Sequence, residues 1–393
     1  MPRYDGSALA EQGVVVVTFN YRLGMLGQLA HPALRRTQLE EPAGNYHMMD
    51  QIAALEWVRD NIEPFGGDPA KVTIFGMSAG GVSVNYHMAM PASTGLFHGA
   101  ISESSAIRVS NPRHISEDLP GLPSLETEFS GVAEKLNIRG DDKAVVQALR
   151  ALTVEQILEF QANNMLGTGG SLNPVVDGKI VSRGVGATFR DGLQHKVPYM
   201  TGATSWEGSL LWWAKSSDLL LRILGVSPDD ARALYGEDFD YKVVNNKLYV
   251  DFFFGSQRYL ARHHVASGQP TFVYFFSRVL DEHQDELPGA AHGAEMRYAF
   301  RTLDSLTLLG DDIGDFGNRP NETDERYSEM VSAYWVQFAK TGDPNGTGLP
   351  GWPSATAGND LLLEFGQTDV TVHRDFREKR RASWEAHFDA GKL

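Results

Sequence analysis

Short apolar runs alternate with longer segments of mixed polarity along the first part of the chain. Residues 14–20 form a β-branched run, which is typical of a buried parallel strand, and residues 72–75 form a second such run. Residues 50–59 mix apolar and charged positions in a helical pattern, and a second helical pattern covers residues 80–90. This alternation of strand, helix, strand and helix predicts a mostly parallel α/β sheet.

The second half of the chain continues the sheet after a helical interruption. Residues 116–164 are helical and charged without a strand pattern, which predicts a helical insertion at roughly residues 113–170. Short apolar runs return at residues 198–202 and 271–276. A glycine-rich stretch at residues 167–171 lacks the spacing of a phosphate-binding loop, so an ordinary loop is favoured. Because no repeat or composition break divides the chain, residues 1–393 are predicted to form a single α/β domain.

Composition narrows the classes of function. The formal net charge is −15, and such a surface repels phosphate backbones and anionic lipids, which disfavours nucleic-acid and membrane partners. The chain contains no cysteine, which excludes disulfides, thiolate metal sites and a cysteine nucleophile. No signal-peptide pattern and no apolar run of membrane-spanning length occur, which favours a cytoplasmic location. His292 and Glu295 have no third ligand motif, so neither a metal nor a cofactor is expected, and nothing indicates the oligomeric state.

A candidate nucleophile lies between the second strand pattern and the second helix pattern. The segment Gly76-Met77-Ser78-Ala79-Gly80 fits G-x-S-x-G, the sharp turn that exposes a serine hydroxyl at the edge of a sheet. The motif alone is weak evidence, because a structural turn has the same composition, but its context favours Ser78 as a nucleophile. A helix that begins there aims backbone N–H groups at developing negative charge. The N–H of Ala79 is therefore the expected oxyanion donor.

A serine nucleophile needs a base, and in this architecture the chain order is serine, then an acid, then histidine. Glu207 follows the apolar run near residue 200, and His292 lies in a loop of small residues after the run at 271–276. Loops at strand ends are where such sheets place functional groups, so we predict His292 as base and Glu207 as its orienting acid. Four other histidines lie in a helical pattern or a charged tail and are predicted to be solvated: His263, His264, His373 and His387.

Several segments occur in a fixed order along nearly the whole chain. They are Asn20-Tyr21-Arg22-Leu23-Gly24, Phe65-Gly66-Gly67-Asp68-Pro69, Val72-Thr73-Ile74-Phe75-Gly76, Pro174-Val175-Val176-Asp177-Gly178, Glu207-Gly208, His292 with Glu295, and Gly342-Asp343-Pro344-Asn345. Together they resemble the type B carboxylesterases, the family of bacterial para-nitrobenzyl esterases and animal cholinesterases. The resemblance implies an α/β-hydrolase fold, a small-molecule ester substrate and a triad of Ser78, Glu207 and His292. By the same resemblance, Ser104 is similar to a serine that supports the acid.

Two departures from the family pattern change what the resemblance implies. The residue before the nucleophile is often glutamate in the family but is Met77 here, which disfavours an attraction for cationic alcohols such as choline. The family's glycine-rich oxyanion loop, with its strand, lies upstream of the segment resembled by Tyr4-Asp5-Gly6-Ser7. We therefore expect a longer protein, in which Met1 is internal and N-terminal strands of the fold are missing from this chain. Because a lost oxyanion donor costs roughly two to three orders of magnitude in turnover, this chain alone is expected to fold poorly and act weakly.

Alternative interpretations remain open at this point. The same scaffold supports lipases, amidases and peptidases, because fold and triad do not fix the leaving group. An inactive or weakly active fragment, or a non-catalytic esterase-like interaction protein, is a further alternative, although an interaction protein predicts a degraded triad. Aromatic residues near the motifs could line a substrate pocket, but core packing is favoured for them: Trp206, Trp212, Trp213 and the Phe252-Phe253-Phe254 run.

Overall fold

The computed structural model describes residues 2–107, 109–164, 173–211, 217–236, 241–305, 307–308, 315–316 and 319–392. Its strands are β1 (Thr73–Met77), β2 (Gly99–Glu103), β3 (Tyr199–Thr204), β4 (Thr271–Phe276), β5 (Thr307–Leu308), β6 (Asp315–Phe316), β7 (Leu361–Phe365) and β8 (Val370–Arg374). The main sheet has the order β1-β2-β3-β4-β7-β8, while β5 and β6 form a separate pair. Neighbours from β1 to β7 are parallel, and only β8 is antiparallel to its neighbour in this sheet.

Helices surround this sheet. Those of the described residues are α1 (Ser7–Ala10), α2 (Gly24–Gln28), α3 (Pro32–Thr37), α4 (Tyr46–Asn61), α5 (Ala79–Ala89), α6 (Leu125–Lys135), α7 (Asp142–Arg150), α8 (Val154–Asn164), α9 (Val185–Arg190), α10 (Ser217–Ile223), α11 (Pro228–Tyr235), α12 (Tyr241–Val265), α13 (Ala294–Phe300), α14 (Glu322–Thr341) and α15 (Glu378–Asp389). Short 3₁₀ turns also occur, among them Glu207–Leu211. In the described part of the chain, no helix combines the length and the apolar character needed to span a membrane.

The two faces of the sheet are each covered by helices. In β4 all six residues are buried. Phe272, Tyr274 and Phe276 join a core cluster with α13 and α14, whereas Val273 and Phe275 join a second cluster with α5 and α12. Because side chains of a strand alternate between faces, a strand covered on both sides needs an uninterrupted apolar run. The predicted parallel α/β sheet flanked by helices is confirmed.

The strand predicted at residues 14–20 is wrong. The segment belongs to no strand or helix, and Val15, Val17 and Phe19 are 43%, 38% and 45% exposed. An extended segment becomes a strand only when a neighbour pairs with its N–H and C=O groups, and in the described sheet β1 pairs with β2 alone. Val14 and Val16 pack against an apolar cluster formed by α1, α13 and α14. One side of the segment therefore packs on this cluster, while Val15, Val17 and Phe19 remain exposed.

Other predicted elements agree with the structure to within a few residues. The two helical patterns before residue 90 correspond to α4 and α5, and the charged region after residue 116 contains α6, α7 and α8. The glycine-rich stretch at residues 167–171 lies outside the described residues. The strands β2, β7 and β8 have no counterpart among the predicted elements. In β2 the cause is composition, since its sequence of glycine, alanine, isoleucine, serine and glutamate lacks a continuous apolar run.

Candidate active site

Ser78 lies on a tight turn between β1 and α5. Its φ is +59° and its ψ is −118°, a conformation that costs a non-glycine residue about 1 to 3 kcal/mol. Gly76 makes the turn possible, because a Cβ at this position would lie 2.7 Å from the carbonyl carbon of Gly80. The N–H of Ser78 donates to the carbonyl of Glu103 at the end of β2, with an N···O distance of 2.9 Å. The strained turn therefore holds the serine at the carboxyl end of the sheet.

The N-terminus of α5 begins directly after the serine. Ala79 is its first residue and is exposed. The first N–H groups of a helix have no partner within the helix, and the helix dipole places partial positive charge there. The backbone N–H of Ala79 is therefore free of helical hydrogen bonding and lies next to the Ser78 hydroxyl. It suits the predicted role of oxyanion donor.

The loops that carry Glu207 and His292 are joined by backbone and side-chain hydrogen bonds. The N–H of Trp206 donates to the carbonyl of Ala290 at 2.9 Å, and Ser205 Oγ accepts from the N–H of Ala290 at 2.8 Å. Ser209 Oγ accepts from the N–H of His292 at 2.9 Å. These bonds fix the segment before α13 against the segment after β3. These hydrogen bonds therefore hold together the two chain segments that carry the acid and the base.

Glu207 and His292 form a direct buried pair. His292 Nδ1 donates to Glu207 Oε2, and the other carboxylate oxygen accepts from the N–H of Thr204 at 2.8 Å. The Glu207 side chain is fully buried and that of His292 is 7% exposed. Burial lowers the pKa of His292, but the charge and hydrogen bond of Glu207, with a smaller effect of Glu295, outweigh it and raise the pKa above its ordinary value. His292 is therefore a stronger base than an ordinary histidine.

The turn that carries Ser78 contacts the loop that carries His292 through the residues next to each of them. The end of the Met77 side chain packs on Gly293: a Cβ at Gly293 would lie 2.6 Å from Met77 Cε and 3.1 Å from its sulfur. Met77 precedes Ser78, and Gly293 follows His292. His292 Nε2, which faces away from Glu207, is buried and makes no hydrogen bond within the described part of the chain. The structure therefore joins the two loops without a hydrogen bond between the Ser78 hydroxyl and the imidazole, as is common in sites without substrate.

Two further carboxyl groups are buried beside the pair. Glu103 and Glu295 are both 0% exposed. Burial and the nearby Glu295 raise the pKa of Glu103 well above its ordinary value, while the indole N–H of Trp335 donates to Glu103 Oε1 at 2.5 Å. Burial and the charge of Glu207 raise the pKa of Glu295 to about 7. Because an unpaired charge is costly to bury, these groups favour the neutral form over much of the usual pH range.

Ser104 contacts Glu295 in this structure. Its hydroxyl donates to Glu295 Oε1 at 2.9 Å, and the Tyr274 hydroxyl donates to the same oxygen at 3.3 Å. Ser104 therefore reaches the acid Glu207 only through a second carboxyl group. Neither Glu103 nor Glu295 is predicted as a site residue from the sequence. Two sequence signals were available: Glu103 ends the strand β2, and Glu295 follows the candidate base His292 by three residues, about one helical turn.

Aromatic side chains serve mainly as core, with one exception near the base. Phe252, Phe253 and Phe254 are 8%, 5% and 3% exposed, in agreement with core packing. Phe253 also meets the His292 ring edge to face, with centroids 5.4 Å apart. Trp212 and Trp213 lie outside the described residues. Of the histidines predicted to be solvated, His264 is instead fully buried and hydrogen-bonds the carbonyl of Val197 at 2.8 Å.

Comparison with known proteins identifies the family of the chain. The family model described as "Carboxylesterase family" matches residues 1–220 and 237–384. This chain belongs to the carboxylesterase family. Liver carboxylesterase 1 of Oryctolagus cuniculus is 32% identical over 97% of this chain and 70% of its own length. Para-nitrobenzyl esterase of Bacillus subtilis (strain 168) is 29% identical over 97% of this chain and 75% of its own length.

Solved structures of the family agree with this fold. A carboxylesterase of Geobacillus stearothermophilus superimposes with a TM-score of 0.79 and 30% identity, covering 98% of this chain and 78% of the solved one. A PNB esterase superimposes with a TM-score of 0.80 and 27% identity, covering 98% and 76%. This carboxylesterase therefore has the α/β-hydrolase fold and is a carboxylic ester hydrolase. The alternative of a non-catalytic interaction protein finds no support among these relatives, which are themselves named as esterases.

Proposed function

We propose that this carboxylesterase cleaves small carboxylic esters through an acyl-enzyme intermediate, with Ser78 as nucleophile, His292 as base and Glu207 as orienting acid. The observation that carries the proposal is the buried hydrogen bond from His292 Nδ1 to Glu207. A proton on Nδ1 leaves Nε2 with a lone pair, which is the atom a general base needs. The packing of Met77 on Gly293 supports the proposal, because it joins the residue before Ser78 to the residue after His292.

The reaction begins when Ser78 Oγ attacks the carbonyl carbon of the ester while His292 Nε2 accepts the hydroxyl proton. The negative charge that develops on the carbonyl oxygen is stabilised by the N–H of Ala79 and the N-terminal dipole of α5. The protonated imidazole then gives its proton to the departing alcohol. Water attacks the acyl group by the same route, with His292 again as base, and the carboxylic acid is released.

Glu207 fixes the orientation of His292 and stabilises its protonated form. It accepts the Nδ1 proton and stabilises the imidazolium that forms during each step. Its second oxygen is satisfied by the N–H of Thr204 at 2.8 Å, so the carboxylate has little freedom to turn away. The raised pKa of His292 follows from this contact and makes the imidazole a better proton acceptor.

The alcohol portion of the substrate is expected to be uncharged. The side chain directly before the nucleophile is Met77, which packs with an apolar cluster that includes Leu9 and Phe300. No carboxylate is therefore supplied at this position to attract a cationic alcohol. Short aryl and alkyl esters suit such a site better than choline esters.

Labelling with a fluorophosphonate probe tests the assignment of the nucleophile. We expect the probe to attach to the peptide that contains Ser78, and we expect Ser78→Ala to abolish labelling and to lower ester hydrolysis roughly 10⁴-fold or more. Ser7→Ala, a change of an exposed serine on α1, serves as the matched control and should label as the unchanged protein does. Attachment of the probe at another serine would contradict the proposal.

The leaving group is tested with a panel of substrates. We expect short-chain para-nitrophenyl esters to be hydrolysed faster than long-chain triglycerides, and peptides to be left intact. Faster hydrolysis of peptides or amides would favour the amidase alternative, because the same triad serves both reactions. The Ser78→Ala protein is the control for each substrate, since any remaining rate reports a background reaction.

A further inference from the structure

Methionine is the only sulfur-containing residue in this protein, because the chain has 11 methionines and no cysteine. A thioether is the softest nucleophile that such a chain offers to an oxidant. Six of the described methionines are buried: Met25, Met48, Met88, Met90, Met200 and Met296. Three others, Met49, Met77 and Met330, are partly exposed. Oxidation by a small reagent is therefore directed to these three among the described positions.

Met77 is the one of these three that touches the active site. It is the last residue of β1, directly before the nucleophile. Its sulfur and terminal methyl group lie against Gly293, the residue directly after the base. Gly293 is the N-cap of α13 and has a φ of +75°, a conformation that favours glycine. A change in the backbone of Gly293 therefore changes the orientation of His292, the residue before it. Met77 is thus the packing contact between the nucleophile turn and the base loop.

We propose that Met77 is an oxidation site through which peroxide switches off the esterase, and this proposal rests on the proposed roles of Ser78 and His292. A lone pair of the Met77 sulfur attacks one oxygen of hydrogen peroxide and the O–O bond breaks. An S–O bond forms, and the second oxygen leaves as water after taking up the protons. The sulfur is oxidised by two electrons and the peroxide is reduced, so the sulfoxide and one water are the products.

The sulfoxide does not fit the space that the thioether fills. Its oxygen is a strong hydrogen-bond acceptor, whereas the partners of Met77 are the apolar side chains of Leu9, Met296, Phe300 and Val336. An acceptor oxygen placed among apolar side chains loses its hydration, so we expect the oxidised side chain to turn away from this cluster and toward solvent. Movement displaces Gly293 and with it His292. Because a shift of about 1 Å in a reacting group can cost 10²-fold in rate, the loss of activity is large.

Treatment of the purified esterase with hydrogen peroxide tests the proposal. Ester hydrolysis is measured before and after treatment, and the fraction of sulfoxide at Met49, Met77 and Met330 is measured by peptide mass spectrometry. We expect the rate to fall about 10- to 100-fold in proportion to the sulfoxide at Met77. Methionine sulfoxide reductase should then restore the rate, which a loss caused by general unfolding would not allow.

Two leucine variants separate Met77 from the other methionines. Leucine is close to methionine in volume and cannot be oxidised, so Met77→Leu should keep most of its own starting rate after peroxide. Met330→Leu, a change on α14, should lose activity as the unchanged protein does. Each variant is compared with itself before treatment, so a change in starting rate cancels.

Several results would overturn the inference. Equal inactivation of Met77→Leu, complete sulfoxide formation at Met77 with an unchanged rate, or oxidation of Met49 and Met330 while Met77 stays reduced would each do so. Failure of the untreated protein to label at Ser78 with the fluorophosphonate probe would instead contradict the proposed function. The two failures are therefore distinguishable.

Discussion

The two parts of the proposed triad lie in very different surroundings. Glu207 and His292 follow β3 and β4, strands whose residues are all buried and which have neighbours on both sides. Ser78 follows β1, the edge of the described sheet, where all five residues are only partly buried. The acid and base are therefore positioned by the interior of the protein, whereas the nucleophile depends on a strand that is paired on one side.

The connections around each part show the same difference. The loops of Glu207 and His292 are tied together by four hydrogen bonds, of which three involve backbone atoms of residues 206, 290 and 292. Beyond the pairing of Gly76 and Met77 with β2, the nucleophile turn has the backbone bond from Ser78 to Glu103 and the side-chain contact of Met77 with Gly293. Rigidity in a protein follows the density of such contacts. We therefore expect the backbone around the proposed nucleophile to open more readily than the backbone around the acid and the base.

Hydrogen exchange measures this difference directly and should show the largest effect. We expect backbone amides of β3 and β4 to exchange roughly 100-fold or more slowly than those of residues 14–20, with β1 between them, because local opening needs less free energy at an edge. Mass spectrometry of overlapping peptides gives the rates. Exchange in residues 14–20 as slow as in β4 would show that the edge is as stable as the interior.

Sequence patterns predicted the strands β1, β3 and β4, missed the interior strands β2 and β7, and wrongly predicted a strand at residues 14–20. The apolar run at 271–276 predicts β4 because burial on both faces demands such a run. The G-x-S-x-G motif with Glu207 and His292 predicts a triad in chain order, and the structure shows the hydrogen bond between Glu207 and His292. The run at residues 14–20 has the same β-branched character, yet it is not a strand, because composition does not say whether a pairing partner is present. The buried carboxyl groups of Glu103 and Glu295 were missed for a related reason. A glutamate is ordinarily exposed, and only the folded neighbours determine that it is buried.

Glu103 lies between the two regions, and replacing it should stabilise the protein. Its pKa is raised well above the ordinary value of 4.5, so the folded protein holds this proton more tightly than the unfolded chain does. Stability is therefore lost as pH rises from about 4.5 toward the folded pKa. Glu103→Gln keeps the acceptor for Trp335 and removes the cost of keeping a buried carboxyl protonated above its ordinary pKa. We expect it to raise the free energy of unfolding by about 1 to 3 kcal/mol at pH 8, and by less at pH 5.

Denaturant unfolding at both pH values gives these free energies. Glu126→Gln is the matched control, because Glu126 is also buried but is paired with Arg35 at 2.7 Å. Removing its charge breaks an ion pair whose arginine is half exposed, so the control should lose a little stability and gain none. A loss of stability in Glu103→Gln at pH 8 would mean that its carboxylate is charged and held by favourable contacts.

Glu295 should have the smallest effect, which appears in the pH dependence of the reaction. Its pKa is about 7, and its charged form above that pH raises the pKa of His292 beside it. Because the base works only when unprotonated, activity is expected to rise with pH through the raised pKa of His292. Glu295→Gln removes the extra negative charge but keeps the hydrogen-bond acceptor for Ser104. The acid limb of the pH profile of kcat/KM should therefore move to lower pH. The control is Glu103→Gln, because Glu103 does not contribute to the raised pKa of His292 and its replacement should leave the limb in place. A shift of the limb to higher pH in Glu295→Gln would contradict the electrostatic link between the carboxyl cluster and the base.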